Sequence, residues 1–174
     1  MEANSLRTQV IEKIKTRQAE WDALLAEIPP ERMETPGAEE GWSVKDLVAH
    51  ITHYENWLAN FLESVLEARL FEGTHLDQLE LDARNDFIFQ TNRTRPLAEV
   101  FEEARQMRER LFGLVNALTE EDFGPNYRCT EPMAANPPPW EPKGVSSLTN
   151  LIAGETYRHY QAHMSSLKSW LEKA

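Results

Sequence analysis

The chain has 174 residues, 41% of them hydrophobic, which suffices for one domain (1–174) with a buried core. Its net charge of −11, without any long basic run, would repel phosphate backbones, so no nucleic-acid partner is expected. No apolar run approaches the ~20 residues of a membrane span, Met1-Glu2-Ala3-Asn4 lacks a signal-peptide pattern, and a single cysteine, Cys129, excludes an intrachain disulfide; a cytoplasmic protein is expected.

Few glycines and many Leu, Ala, Glu and Arg residues favour helix. The first long helix is predicted from about Ser5 to Ile28, with Val10, Ile14, Trp21, Leu24, Leu25 and Ile28 in helical rhythm and Pro29-Pro30 as the stop. A loop over Glu31 to Gly41 follows. Ser43 reads as an N-cap with Asp46 completing a capping box. The second long helix then runs from Val44 to about Leu66, its apolar face marked by Leu47, Val48, Ile51, Tyr54, Trp57, Leu58, Phe61, Leu62 and Val65. His50 falls on that stripe, and His53 lies about 60° away around the helix, nearer its boundary.

Glu72 to Gln78 breaks the pattern and leaves His75 in a loop expected to be exposed; a shorter helix is predicted over Leu79 to Thr91. Pro96 suits the first turn of the third long helix, which carries Leu97, Val100, Phe101, Ala104, Met107, Leu111, Leu114, Val115 and Leu118. Thr119 to Phe123 reads as a capped single turn. Gly124 to Gly144 is a Pro-rich loop with Trp140 as its anchor, of a length typical of lids or disordered segments. Ser146 or Ser147 caps the fourth long helix, which carries Leu148, Leu151, Ile152, Tyr160, Met164, Leu167, Trp170 and Leu171. Four long amphipathic helices predict an all-α four-helix bundle, with a long crossover between the second and third.

His159 and His163 are four residues apart, so on a helix they stack one turn above each other. With His50 they place three imidazoles on apolar stripes of two helices, where unpartnered ring nitrogens would be costly. A shared divalent ion would satisfy all three; the plainer reading is core histidines bonded to Tyr54, Tyr157, Tyr160 or backbone carbonyls. Tyr160 stands where a metalloprotease would carry its general-base Glu, so peptide hydrolysis is not indicated. Glu155, four residues before His159, is a candidate ligand, ring-orienting acceptor or general base. Imidazoles bind metal only when neutral, so uptake is expected to weaken as pH falls through ~6.5.

The run Gly41-Trp42-Ser43-Val44-Lys45-Asp46-Leu47-Val48-Ala49-His50, with Tyr157-Arg158-His159-Tyr160-Gln161-Ala162-His163 and Leu118-Thr119-Glu120-Glu121-Asp122-Phe123, resembles the DinB/YfiT-like superfamily. Asn85 through Pro96 and the Thr-Tyr-x-His-Tyr run resemble its ClbS/DfsB-like branch. The resemblance implies a bundle whose nickel or zinc is held by His50, His159 and His163. It also implies transferase or isomerase chemistry with a low-molecular-weight thiol, or hydrolysis, on electrophilic small molecules. Glu155 stands where the narrower branch is expected to carry Asn, and it and His53 are the acid–base candidates. Trp42, Trp57 and Tyr160 are candidate pocket walls, although core packing accounts for each. The alternatives are a ClbS-like hydrolase that opens a strained electrophile without metal, and a non-catalytic module that sequesters a hydrophobic ligand. Exposed helix faces make a homodimer an expectation.

Overall fold

Ser5 opens the first helix: its hydroxyl accepts the Thr8 amide, and α1 runs Leu6–Ala26. The computed structural model describes residues 5–39, 41–69, 71–124 and 147–173. Cys129, Trp140, Ser146 and nearly all of the Pro-rich segment lie outside the described residues. The proline pair ends α1, as read from the sequence, and Pro30–Arg32 continues as a short 3₁₀ turn.

α2 (Val44–Leu66) starts at the expected cap. Ser43 Oγ accepts the Asp46 amide, and the Asp46 carboxylate accepts the Ser43 amide at 2.9 Å. Two of the four orphan donors of a helix start are thereby satisfied. The broad stripe does what its width predicts: Leu47, Leu58, Phe61 and Leu62 are fully buried, each stabilising the fold by about 1.5–3 kcal/mol.

The crossover holds a 3₁₀ turn (His75–Gln78) and then α3, Leu81–Asn92. Ile88 of α3 is buried, but Leu81 and Phe87 are exposed, so half of its expected apolar content faces away from the core. His75 is exposed, with its ring edge against Phe87. α4 spans Leu97–Ala117, with Pro96 as its cap rather than in its first turn. It packs on α2 more extensively than any other pair of elements does. The capped turn after α4 forms at Glu121–Phe123, where Asp122 accepts the Thr119 amide.

The last long helix is where the observed chain departs from the sequence reading. It begins as α5 (Leu148–Ala153) with Ser147 as N-cap, passes through a π-helical turn at Gly154–Arg158, and resumes as α6 (His159–Leu171). Thr156 inside the turn has φ −122 and ψ −106, outside helical values, and its hydroxyl donates to the Ile152 carbonyl. The widened turn inserts an extra residue, so the two halves of the helix are rotated relative to one continuous spiral. Such a turn leaves the apolar rhythm of either half intact, so periodicity alone does not show it.

The architecture is thus a four-helix bundle of α1, α2, α4 and α5–α6, with a crossover bearing its own short helix. Its core has two parts. One gathers Val10, Ile14, Leu58, Leu62, Leu111 and Ile152; the other gathers Trp21, Leu47, Ile51, Val100, Met164 and Leu167. Both α6 and the π turn pack on α2. No helix among the described residues is long and apolar enough to cross a membrane.

Candidate metal centre

The cap at Ser43 sets the phase of α2, which points His50 at the start of α6. There His159 and His163, one turn apart, point back. The three ring centroids form a near-equilateral triangle with sides of 4.9, 4.9 and 5.0 Å. One ligand nitrogen from each ring lies within 4.8 Å of the others, and the Nε2 atoms of His50 and His159 are 3.0 Å apart. In the tetrahedral geometry of zinc, nitrogens bound at ~2.0–2.1 Å lie about 3.4 Å apart. A pair at the 4.8 Å limit would therefore close by roughly 1.4 Å as the ion binds. A carboxylate cage is not what this is; three imidazoles suit zinc, nickel or copper rather than calcium or magnesium.

Two of the three tyrosines that would satisfy a set of ordinary core histidines are committed elsewhere. Tyr54 packs its ring on His50 and His159, but its hydroxyl donates to Asn85 Oδ1 at 2.9 Å. Tyr160 turns to the opposite side and donates to Glu55 Oε1 at 2.7 Å. The Nδ1 atoms of His50 and His159 are buried without a hydrogen-bond partner.

Burial pushes the His50 ring down to about 2, with the charges of His159 and His163 adding to it, and burial takes His159 down to about 3, helped by His163. Both rings are neutral far below the ordinary histidine range. Proton competition for these two ligands therefore begins well below pH ~6.5, which corrects the window expected from an unperturbed imidazole. His163 Nδ1 lies 2.8 Å from Glu39 Oε2, leaving Nε2 for the other rings. The donor set fits a divalent metal held by neutral imidazoles.

Glu155 and His53 stand outside this cluster. Glu155 is buried, and burial raises its carboxyl to about 7, with Arg84 pulling it back down. His53 sits edge-on to Tyr54, its ring lowered by burial and then by Arg84. Arg84 itself is buried, donating to the carbonyls of Leu76 and Leu79 at 2.9 and 3.1 Å. Of the candidate pocket walls, Trp42 meets the site, edge-on to His50 and stacked on Phe89. Trp57 stacks on Phe61 in the core, and Tyr160 packs against Trp21.

Sequence reasoning missed Glu39 and Arg84. The signal for either is slight: an acidic residue in a loop and a basic one on a short helix default to solvent. Asn85 lay in the run that carries the family resemblance, yet nothing there named Tyr54 as its partner.

A helical bundle that gathers three imidazoles from facing helices is a recurrent way to build a metal site. A family model described as the DinB superfamily matches residues 9–162, and the chain belongs to that superfamily. Among curated proteins no sequence matches it. Solved structures share the fold. A Streptococcus pneumoniae protein aligns with TM-score 0.77 at 13% identity, covering 99% of this chain and 93% of that one. A protein from Clostridium difficile 630 aligns with TM-score 0.77 at 11% identity, covering 99% and 98%. The colibactin self-resistance protein ClbS, in complex with a dsDNA, aligns with TM-score 0.72 at 14% identity, covering 97% and 96%. That complex bears on the expectation of no nucleic-acid partner. A protein of this fold does hold a duplex, so for this chain the expectation rests on charge alone.

Proposed function

We propose that the protein is a metal-dependent enzyme acting on electrophilic small molecules, as a thiol-dependent transferase or a hydrolase. The observation that carries this reading is the triangle of His50, which is buried, with the partly buried His159 and His163, whose ring nitrogens are not taken up by the Tyr54 and Tyr160 hydroxyls. These three rings would hold nickel or zinc, leaving at least one coordination position open. A metal so held supplies a lowered pKa to a bound water or low-molecular-weight thiol. Glu155, whose carboxyl is poised near neutrality, is the proton acceptor or donor closest to hand in character; His53 is the second candidate. Trp42 and Tyr54 wall the site with apolar surface. A cytoplasmic homodimer without nucleic-acid or membrane partners completes the proposal.

The test is elemental analysis of the purified protein beside a His159→Ala, His163→Ala double variant. Near-stoichiometric nickel or zinc, lost in the variant, is the expected result. No metal as purified, together with no tight uptake on titration, would overturn it. The resemblance to the ClbS/DfsB-like branch carries one other reading, a metal-free hydrolase in which the histidines act as acid, base or pocket residues. Turnover of a strained electrophile that persists in chelator would select that reading. Retention of duplex DNA at physiological salt would overturn the partner assignment.

A further inference from the structure

We propose that Glu39 is the positioning residue of this site: its carboxylate holds His163 in the Nδ1–H tautomer and so presents the Nε2 lone pair to His50 and His159. What that lone pair binds rests on the metal reading above. An ionised carboxylate only accepts hydrogen bonds, so the 2.8 Å contact requires the proton on Nδ1. Nε2 is then the acceptor. The pair is shielded, with side-chain exposures of 12% for His163 and 28% for Glu39.

The loop that carries Glu39 is built to hold it still. The amides of Gly37 and Ala38 both donate to the Trp42 carbonyl, at 2.9 and 2.8 Å, and the Trp42 amide donates back to the Glu39 carbonyl at 2.6 Å. Gly37 and Gly41 adopt φ of 109° and 89°, values a side chain would resist. The loop is tied at its base by the Lys45 amide on the Met33 carbonyl, at 2.9 Å, and by Arg32 stacked 3.9 Å over the Trp170 ring. The same turn sets the Trp42 indole edge-on to His50, at 5.2 Å. One loop therefore braces two of the three rings, on helices that are distant in sequence. Glu39 lies outside the ligand cluster itself, as expected of a carboxylate that orients a ligand from behind.

The experiment uses full-length protein with isotope-labelled histidine. Nitrogen–proton spectra near pH 8, where an ordinary imidazole is neutral, read the tautomer of His163 in metal-free protein. Chelator competition with Zn²⁺ reads affinity in parallel. The variants are Glu39→Ala, Glu39→Gln, His163→Ala and the Glu39→Ala His163→Ala pair. In the wild type the proton is expected on Nδ1; in Glu39→Ala it moves to Nε2 and zinc affinity falls about 10–100-fold. Glu39→Gln, whose amide oxygen still accepts, recovers most of both. Once His163 is removed, Glu39→Ala has no further effect.

An unchanged tautomer in Glu39→Ala overturns the proposal, as does a wild-type ring protonated on both nitrogens, which would make the contact a plain ion pair. A further loss in the His163→Ala background also overturns it, because Glu39 would then bind the ion directly. A wild type that takes up no zinc sinks the metal reading instead, and the tautomer spectra then decide the role of Glu39 by themselves.

Discussion

Glu155 carries its carboxyl at about 7 because the helix buries it beside Tyr54 and Arg84, and the arginine offsets only part of the desolvation. In the metal-free protein its folded pKa exceeds the unfolded value of 4.5. Its penalty is therefore absent below pH 4.5, grows as pH rises, and is complete above 7. A shift of this size corresponds to about 3 kcal/mol. Glu155→Gln should match the wild type in stability at pH 4.5 and exceed it by up to about 3 kcal/mol at pH 8, read by urea unfolding in EDTA. A difference that does not change with pH would mean that Glu155 is solvated. Tyr160 is the contrasting case. Its hydroxyl serves Glu55, so Tyr160→Phe should destabilise the protein by about 1–3 kcal/mol by stranding a buried acceptor. Zinc affinity should stay unchanged; a weakened affinity would place Tyr160 in the site after all.

At the scale of elements, the start of α2 fixes where His50 points. Ser43→Ala removes one half of a buried capping box and should cost about 1 kcal/mol, up to 2, in chemical denaturation. No loss would show that Asp46 caps the helix unaided. This element was legible because its signals are local: a cap, a box partner three residues on, and a stripe repeating every turn. The pairing of His159 with His163 was legible for the same reason, and a bundle places a third stripe histidine, His50, on a facing helix. What stayed hidden depends on contacts far apart in the chain. Glu39 meets His163 from a loop 124 residues away. Arg84 is buried because the crossover folds back over it. The π turn leaves each flanking half in ordinary rhythm, yet it changes how Glu155 stands relative to His159. A continuous spiral would have stacked that pair.

Over the whole molecule, five groups set the acid behaviour of the metal-free protein, and they oppose one another. His50 and His159 are lowered from 6.5 to about 2 and about 3, and His53 is lowered as well, so below pH 6.5 the unfolded chain gains protons that the folded one refuses. That lowers stability as pH falls. Glu55 and Glu155 are raised from 4.5 to about 7, so between pH 7 and 4.5 the folded state holds two protons that the unfolded chain has released. That raises stability as pH falls. From pH 6.5 to 4.5 the two glutamates nearly cancel His50 and His159, and His53 leaves a shallow net decline. Below 4.5 the unfolded carboxylates are protonated as well, and only the histidine term remains, worth about 3 kcal/mol per pH unit for two protons. Unfolding free energy in EDTA should therefore decline only shallowly from pH 6.5 to 4.5 and then drop steeply towards pH 3. Glu155→Gln removes one opposing proton, so between pH 6.5 and 4.5 its stability should decline more steeply than the wild type's, by about 1.4 kcal/mol per unit. A wild type that already loses about 3 kcal/mol per unit from pH 6.5 downward would mean that the glutamates are ionised in the folded state. Level stability down to pH 3 would mean that His50 and His159 accept protons without unfolding, which their desolvation opposes.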